Sequence, residues 1–142
     1  MDYEPEIPEF SEEALLVIDF TYSSDHTYRT MNDRIKESDW KIFKELQPLA
    51  LQRYCEGVME EVDQIISDTK RDSHERYIEM YKIVRDGDKK LAHMFDGFSR
   101  SRALDQLVMY YGNDLLSEEE VAQLSEETQE KILAILKLWE EL

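Results

Sequence analysis

From Trp40 to Ile65 apolar residues return every three or four positions: Trp40, Phe43, Leu46, Ala50, Tyr54, Val58, Val62 and Ile65. That spacing places all eight on one side of an α-helix, and no strand pattern reproduces it. Ser38 or Asp39 is the expected opening residue. Pro48 falls inside the run. It lacks an N–H, and its ring clashes with the preceding turn. A break is therefore expected near Leu46–Gln47, with Pro48 restarting the helix in its first turn. The stripe is also wide, because Leu51, Cys55, Met59 and Ile66 stand beside it. A wide stripe must meet two neighbours, the second being a further helix or a second copy of the chain.

A second helix is announced by Asp72 with Glu75 three residues on, an N-terminal capping pattern. Its apolar positions are Tyr77, Met80, Tyr81, Val84, Leu91, Met94 and Phe95. Gly87 interrupts it at a cost of about 1 kcal/mol relative to alanine, and Gly97 ends it in a glycine turn. Ser99 opens a third helix with Ala103, Leu104, Leu107, Val108 and Tyr111 inward, closed by Gly112. Ser117 to Glu120 is a capping box for a short fourth helix carrying Val121 and Leu124. Ser125 caps a last one with Ile132, Ile135, Leu136 and Trp139 inward. Four glycines and three prolines in 142 residues disfavour a turn-rich β fold. The expected class is all-α, a long helical hairpin plus a small C-terminal helical head. Residues 39–142 form a single all-helical domain, and 1–38 are an acidic N-terminal extension, partly ordered. Within that extension Pro5 and Pro8 mark an extended leader that folding does not need. Ser11 suits a helix cap, Ala14–Ile18 fits helix or strand, and Leu15, Leu16, Ile18 and Phe20 are the expected docking residues.

The formal charge is −16, and it is unevenly spread. Residues 1–39 carry 11 acids and 3 bases, 40–113 carry 13 and 12, and 114–142 carry 9 and 2. The balanced middle suits a packed body with salt-bridged helix faces. The acidic ends argue against binding nucleic acid or an anionic membrane. Their functional reading is attraction of a basic partner, and plain solubility explains them as well. The longest apolar run, Ala14–Ile18, is far too short to span a membrane. Asp2, Glu4 and Glu6 do not read as a secretory signal, and a single cysteine excludes an internal disulfide. A soluble, cytoplasmic protein is the expectation.

Chemistry is thin. His26, His74 and His93 form neither Glu-x-x-His nor His-x-x-x-His, so helical metal sites lack their ligands. No glycine-rich phosphate loop occurs. Glu60, Glu61 and Asp63 lack the glycine and alternation of a calcium loop and read as surface charge. Cys55 has no clear activating neighbour and reads as an inert, buried thiol. No cofactor, no metal and no enzymatic activity are expected. Tyr77 and Tyr81 share a helix face with Met80 beside them, which suits either core or protein contact. Their expected split is Tyr77 inward and Tyr81 outward. Arg100 and Arg102 form a small basic spot suited to a salt bridge between subunits.

The stretch from Trp40 to Ile132 resembles the fluorescence recovery protein family, whose cyanobacterial members bind the orange carotenoid protein and speed its return to the resting form. Ala50-Leu51-Gln52-Arg53 resembles the family's first long helix. Tyr77, Ile78, Met80, Ile83, Val84 and Leu91, ending in Phe95-Asp96, resemble the second. Leu115 to Leu124 looks like its loop and short helix, and Gln129-Glu130-Lys131-Ile132 like its end. The resemblance implies a helical homodimer that regulates another protein. The family's tryptophan, acid and arginine on the second long helix are here Ile78, Lys82 and Asp88. None of the three matches, so no functional residue carries over, and a partner other than the orange carotenoid protein is implied. The expected dimer interface is Leu51, Cys55, Met59, Ile66 and Ile78. The expected partner face is Tyr81, Lys82 and Arg85. The rival reading is an acidic inhibitor or mimic that occupies a basic surface of another protein.

Overall fold

In the computed structural model of the chain, residues 34–141 are described. The expectations for the leader, Ser11, Ala14–Ile18 and Phe20 lie outside the described residues. Among the described residues every regular element is helical. α1 spans Glu37–Ser67, α2 Ser73–Phe95, α3 Ala103–Gly112, α4 Glu118–Val121 and α5 Glu126–Glu140. A single 3-10 turn, Arg100–Arg102, leads into α3.

α1 does not break at Pro48. Proline removes one backbone hydrogen bond, to the carbonyl of Lys44, at a cost of about 3 kcal/mol. Pro48 and Lys44 both lie on the exposed side, where water can take the place of the lost donor. The buried side stays continuous: Phe43, Leu46, Ala50 and Tyr54 flank the proline and enter one core. Packing on both sides of Pro48 keeps the helix continuous through it.

The core lies at one end of the long helices. α3 is its centre, with every residue from Ala103 to Tyr110 buried. Phe43 and Tyr110 stack with ring centroids 6.2 Å apart, and Phe95 stacks on the same Tyr110 ring at 4.7 Å. Phe98 reaches back onto Trp40 and Phe43. It does so from a turn that Gly97 makes at φ 75, a left-handed conformation glycine adopts without a Cβ penalty. Ile35 is also part of this core, so the packed body begins ahead of residue 39.

Two polar links fix the short helices. Asp39 does not open α1, whose N-terminal flank is Lys36 with no side-chain cap. Buried in the first turn, it accepts hydrogen bonds from the Ser125 N–H at 2.7 Å, the Ser125 hydroxyl at 2.6 Å and the Thr128 hydroxyl at 2.6 Å. Burial pushes the Asp39 carboxyl up, but these bonds outweigh it and hold it below the usual carboxylate range. Arg53 makes the second link. Its guanidinium pairs with both Glu120 oxygens, at 2.6 and 2.9 Å, and donates to the Leu115 carbonyl at 2.9 Å. Glu120 also closes the capping box of α4 by accepting from the Ser117 N–H.

Candidate interaction surface

α1 and α2 run antiparallel. The end of α1 meets the start of α2, where Arg76 donates to the Ile66 carbonyl at 2.6 Å. The middle of α1 meets the later part of α2, where the Tyr54 hydroxyl donates to the Gly87 carbonyl at 2.8 Å. The turn between them is held by Asp72, which caps α2 through the Glu75 N–H, and by the Arg71–Glu79 ion pair. The helices come close at Gly87, where an added Cβ would stand 3.4 Å from a Val58 methyl, an ordinary contact.

Burial picks out one row of each helix as the contact line: Ala50, Tyr54, Val58, Glu61 and Ile65 on α1, and Arg76, Met80, Ile83, Gly87, Lys90 and Met94 on α2, are all buried or half-buried. Glu61 lies on this line, and burial pushes its carboxyl up to about 7, with Lys90 drawing it down.

A second row stands one residue further along each helix. On α1 it is Leu51, Cys55, Met59, Val62 and Ile66. On α2 it is Tyr77, Tyr81, Val84, Asp88 and Leu91, continuing into Phe95 in the core. The α2 spacing of four, three, four, three and four is a heptad seam. Each residue turns a right-handed helix by about 100°. In two antiparallel neighbours the next residue along therefore turns to the same side of the pair. Both second rows thus form one apolar face with Asp88 as its single charge. Leu51 and Leu91, at the core end of the face, pack partly against the core, but away from that end it is open: Met59 is 59% exposed, Ile66 52%, Tyr77 66%, Tyr81 60% and Val84 42%. By contrast, between Tyr54 and the end of α1 only Ile65 is buried.

This geometry distributes the expected site residues. Leu51, Cys55, Met59 and Ile66 lie together on the apolar face. Ile78, 39% exposed, stands on the side of α2 turned away from α1. Lys82, Arg85 and Lys89 share that outer side with it, again at spacings of four, three and four. Tyr81 belongs to the apolar face, and Arg85 reaches over its ring at 5.7 Å. Tyr77 is not turned inward: it stands on the same row as Tyr81 and is equally open. Arg100 donates to the Ile35 carbonyl at 2.9 Å, within the chain. The sequence reading missed Val62, Val84 and Asp88 as members of the open face. A heptad register counted separately for the two rows would have found them.

Among the described residues no group of histidine, cysteine, aspartate or glutamate is arranged to hold a metal ion. No helix among them is long and apolar enough to cross a membrane. No family model, no curated protein and no solved structure matches this chain.

Proposed function

We propose that this chain is a non-enzymatic, homodimeric protein-binding regulator built on a helical hairpin, like the fluorescence recovery proteins it resembles, with a partner other than the orange carotenoid protein. The observation that carries the reading is the open apolar face of α1 and α2. Of its ten positions, Met59, Ile66, Tyr77, Tyr81, Val84 and the one charge, Asp88, are exposed, while Leu51, Cys55, Val62 and Leu91 are half-buried. A face of this kind marks a protein contact. Because α1 and α2 each carry a complete second row, a second hairpin is the natural cover, giving a four-helix bundle. The outer row Ile78, Lys82, Arg85 and Lys89 then remains free on the dimer as the surface for a regulated partner. It is a basic strip on a chain of charge −16, suited to an acidic protein surface.

Light scattering over a concentration series tests the reading. The expected mass at tens of micromolar is about twice 17.0 kDa, and Met59→Glu should return it to the single-chain value. A wild-type mass of one chain throughout would overturn it. The rival reading, an acidic mimic, draws on the charge of residues 114–142. It predicts a salt-sensitive complex with a basic protein that survives loss of the apolar face.

A further inference from the structure

The open face has an internal symmetry that says how a second copy fits. In antiparallel helices that pack together, facing positions have a constant sum of residue numbers. If α2 packs on α2 of a second copy about a two-fold axis at Val84, Val84 meets itself and Tyr77 meets Leu91, and Asp88 falls within one residue, about 1.5 Å along the helix, of Tyr81. The same axis can be carried across to α1 through the contact of Val58 with Gly87. It then crosses α1 close to Glu61, which brings Met59 within one residue of Val62 and Cys55 within one residue of Ile66. One axis thus sets apolar against apolar on both helices, and it sets the single charge of the face against a phenol.

The other two-fold, parallel to the helices, fails on both counts. It places Asp88 level with the Cys55–Met59 stretch of the opposing α1, where the one side-chain donor on the face is the weak Cys55 thiol. It also puts the C-terminal parts, with 9 acids against 2 bases, side by side. The perpendicular axis sends those parts to opposite ends of the bundle.

We propose that the second copy docks antiparallel about an axis at Val84, and that the Tyr81 hydroxyl of each copy donates a hydrogen bond to the Asp88 carboxylate of the other. The inference rests on the homodimer reading and adds its register. A polar residue at a seam position costs stability unless it is matched, and it excludes registers in which it is not. Asp88 thereby becomes the residue that fixes how the copies align. Twofold symmetry makes the bond twice per dimer, and each is charge-assisted.

Sedimentation equilibrium of four proteins tests this: wild type, Tyr81→Phe, Asp88→Ala and the double variant. Each single change should weaken the dimer roughly tenfold or more. The double variant should be no weaker than the singles, because both remove the same bond. Both positions are exposed in the single chain, so neither change threatens the fold. A monomeric wild type would overturn the homodimer reading and this inference with it. A dimeric wild type with additive or negligible effects would overturn the pairing alone. A second readout uses Cys55→Ala as background. Val84→Cys should oxidise to a covalent dimer, since the two thiols meet at the axis. Tyr77→Cys should not, because each copy's residue 77 lies about 10 Å along the helix from the axis. The opposite pattern would overturn the register.

Discussion

Glu61 makes the contact between the two long helices sensitive to pH, in a direction opposite to ordinary acid denaturation. Its carboxyl sits half-buried on the row that packs against α2, and burial pushes it from the ordinary 4.5 up to about 7. Between those values the folded chain holds a proton that the unfolded chain has released. Stability is therefore full below about 4.5, falls as the pH rises through about 7, and is flat above. The gap bounds the loss at about 3 kcal/mol. Partial contact with water and the nearby Lys90 reduce the expected effect to about 1–2 kcal/mol. Glu61→Gln keeps the shape and hydrogen-bonding capacity of the neutral acid and cannot ionise. In urea unfolding it should stabilise the protein by that amount at about pH 8 and leave it unchanged at about pH 4. Equal effects at the two pH values, or a loss at pH 8, would refute the argument that burial rather than pairing dominates at Glu61.

Other changes have defined outcomes. Gly87→Ala should raise stability by about 0.5–1 kcal/mol, because a Cβ meets Val58 at ordinary contact distance and helix propensity improves. Thermal unfolding of that variant checks it, and a loss would mean that α1 and α2 cannot give way at all. Arg53→Met should cost about 1–2 kcal/mol at neutral pH. Arg53 holds the Glu120 carboxyl down at about 2, giving stability that is present above 4.5 and lost as the pH falls. The variant should lose that part of the acid dependence, visible in unfolding midpoints below pH 4.5. Asp39→Ala strands three donors at the start of α5 and should cost about 2–4 kcal/mol, measured by urea unfolding.

Much of the fold was legible because its signals are local. The capping residues Asp72, Ser117 and Ser125 all accept from the backbone N–H three residues on, as their sequence context implied. Local signals failed where a distant partner competes for the same residue. Asp39 looks like a helix opener, yet its carboxylate is taken by Ser125 and Thr128, 86 and 89 residues away. Pro48 looks like a break, yet the stacked core around Phe43, Tyr110 and Phe95 outweighs one missing hydrogen bond. The width of the α1 stripe was visible, but not that it resolves into two rows. That required knowing which row α2 covers, a fact set by Gly87 and Tyr54 together. Tyr77 was misplaced for the same reason: spacing puts it with Tyr81, and only the position of α1 says on which side the pair stands.

Cys55 offers the most direct test of the central claim, that a second copy covers the apolar face. It is the single cysteine of the chain, partly exposed when the chain is alone, and it lies on the second row of α1. Its rate of alkylation by a maleimide should be measured across a dilution series from about 100 µM to well below 1 µM. The account predicts slow labelling at high concentration that accelerates on dilution, with Met59→Glu fast throughout. A rate that is the same at every concentration would contradict it.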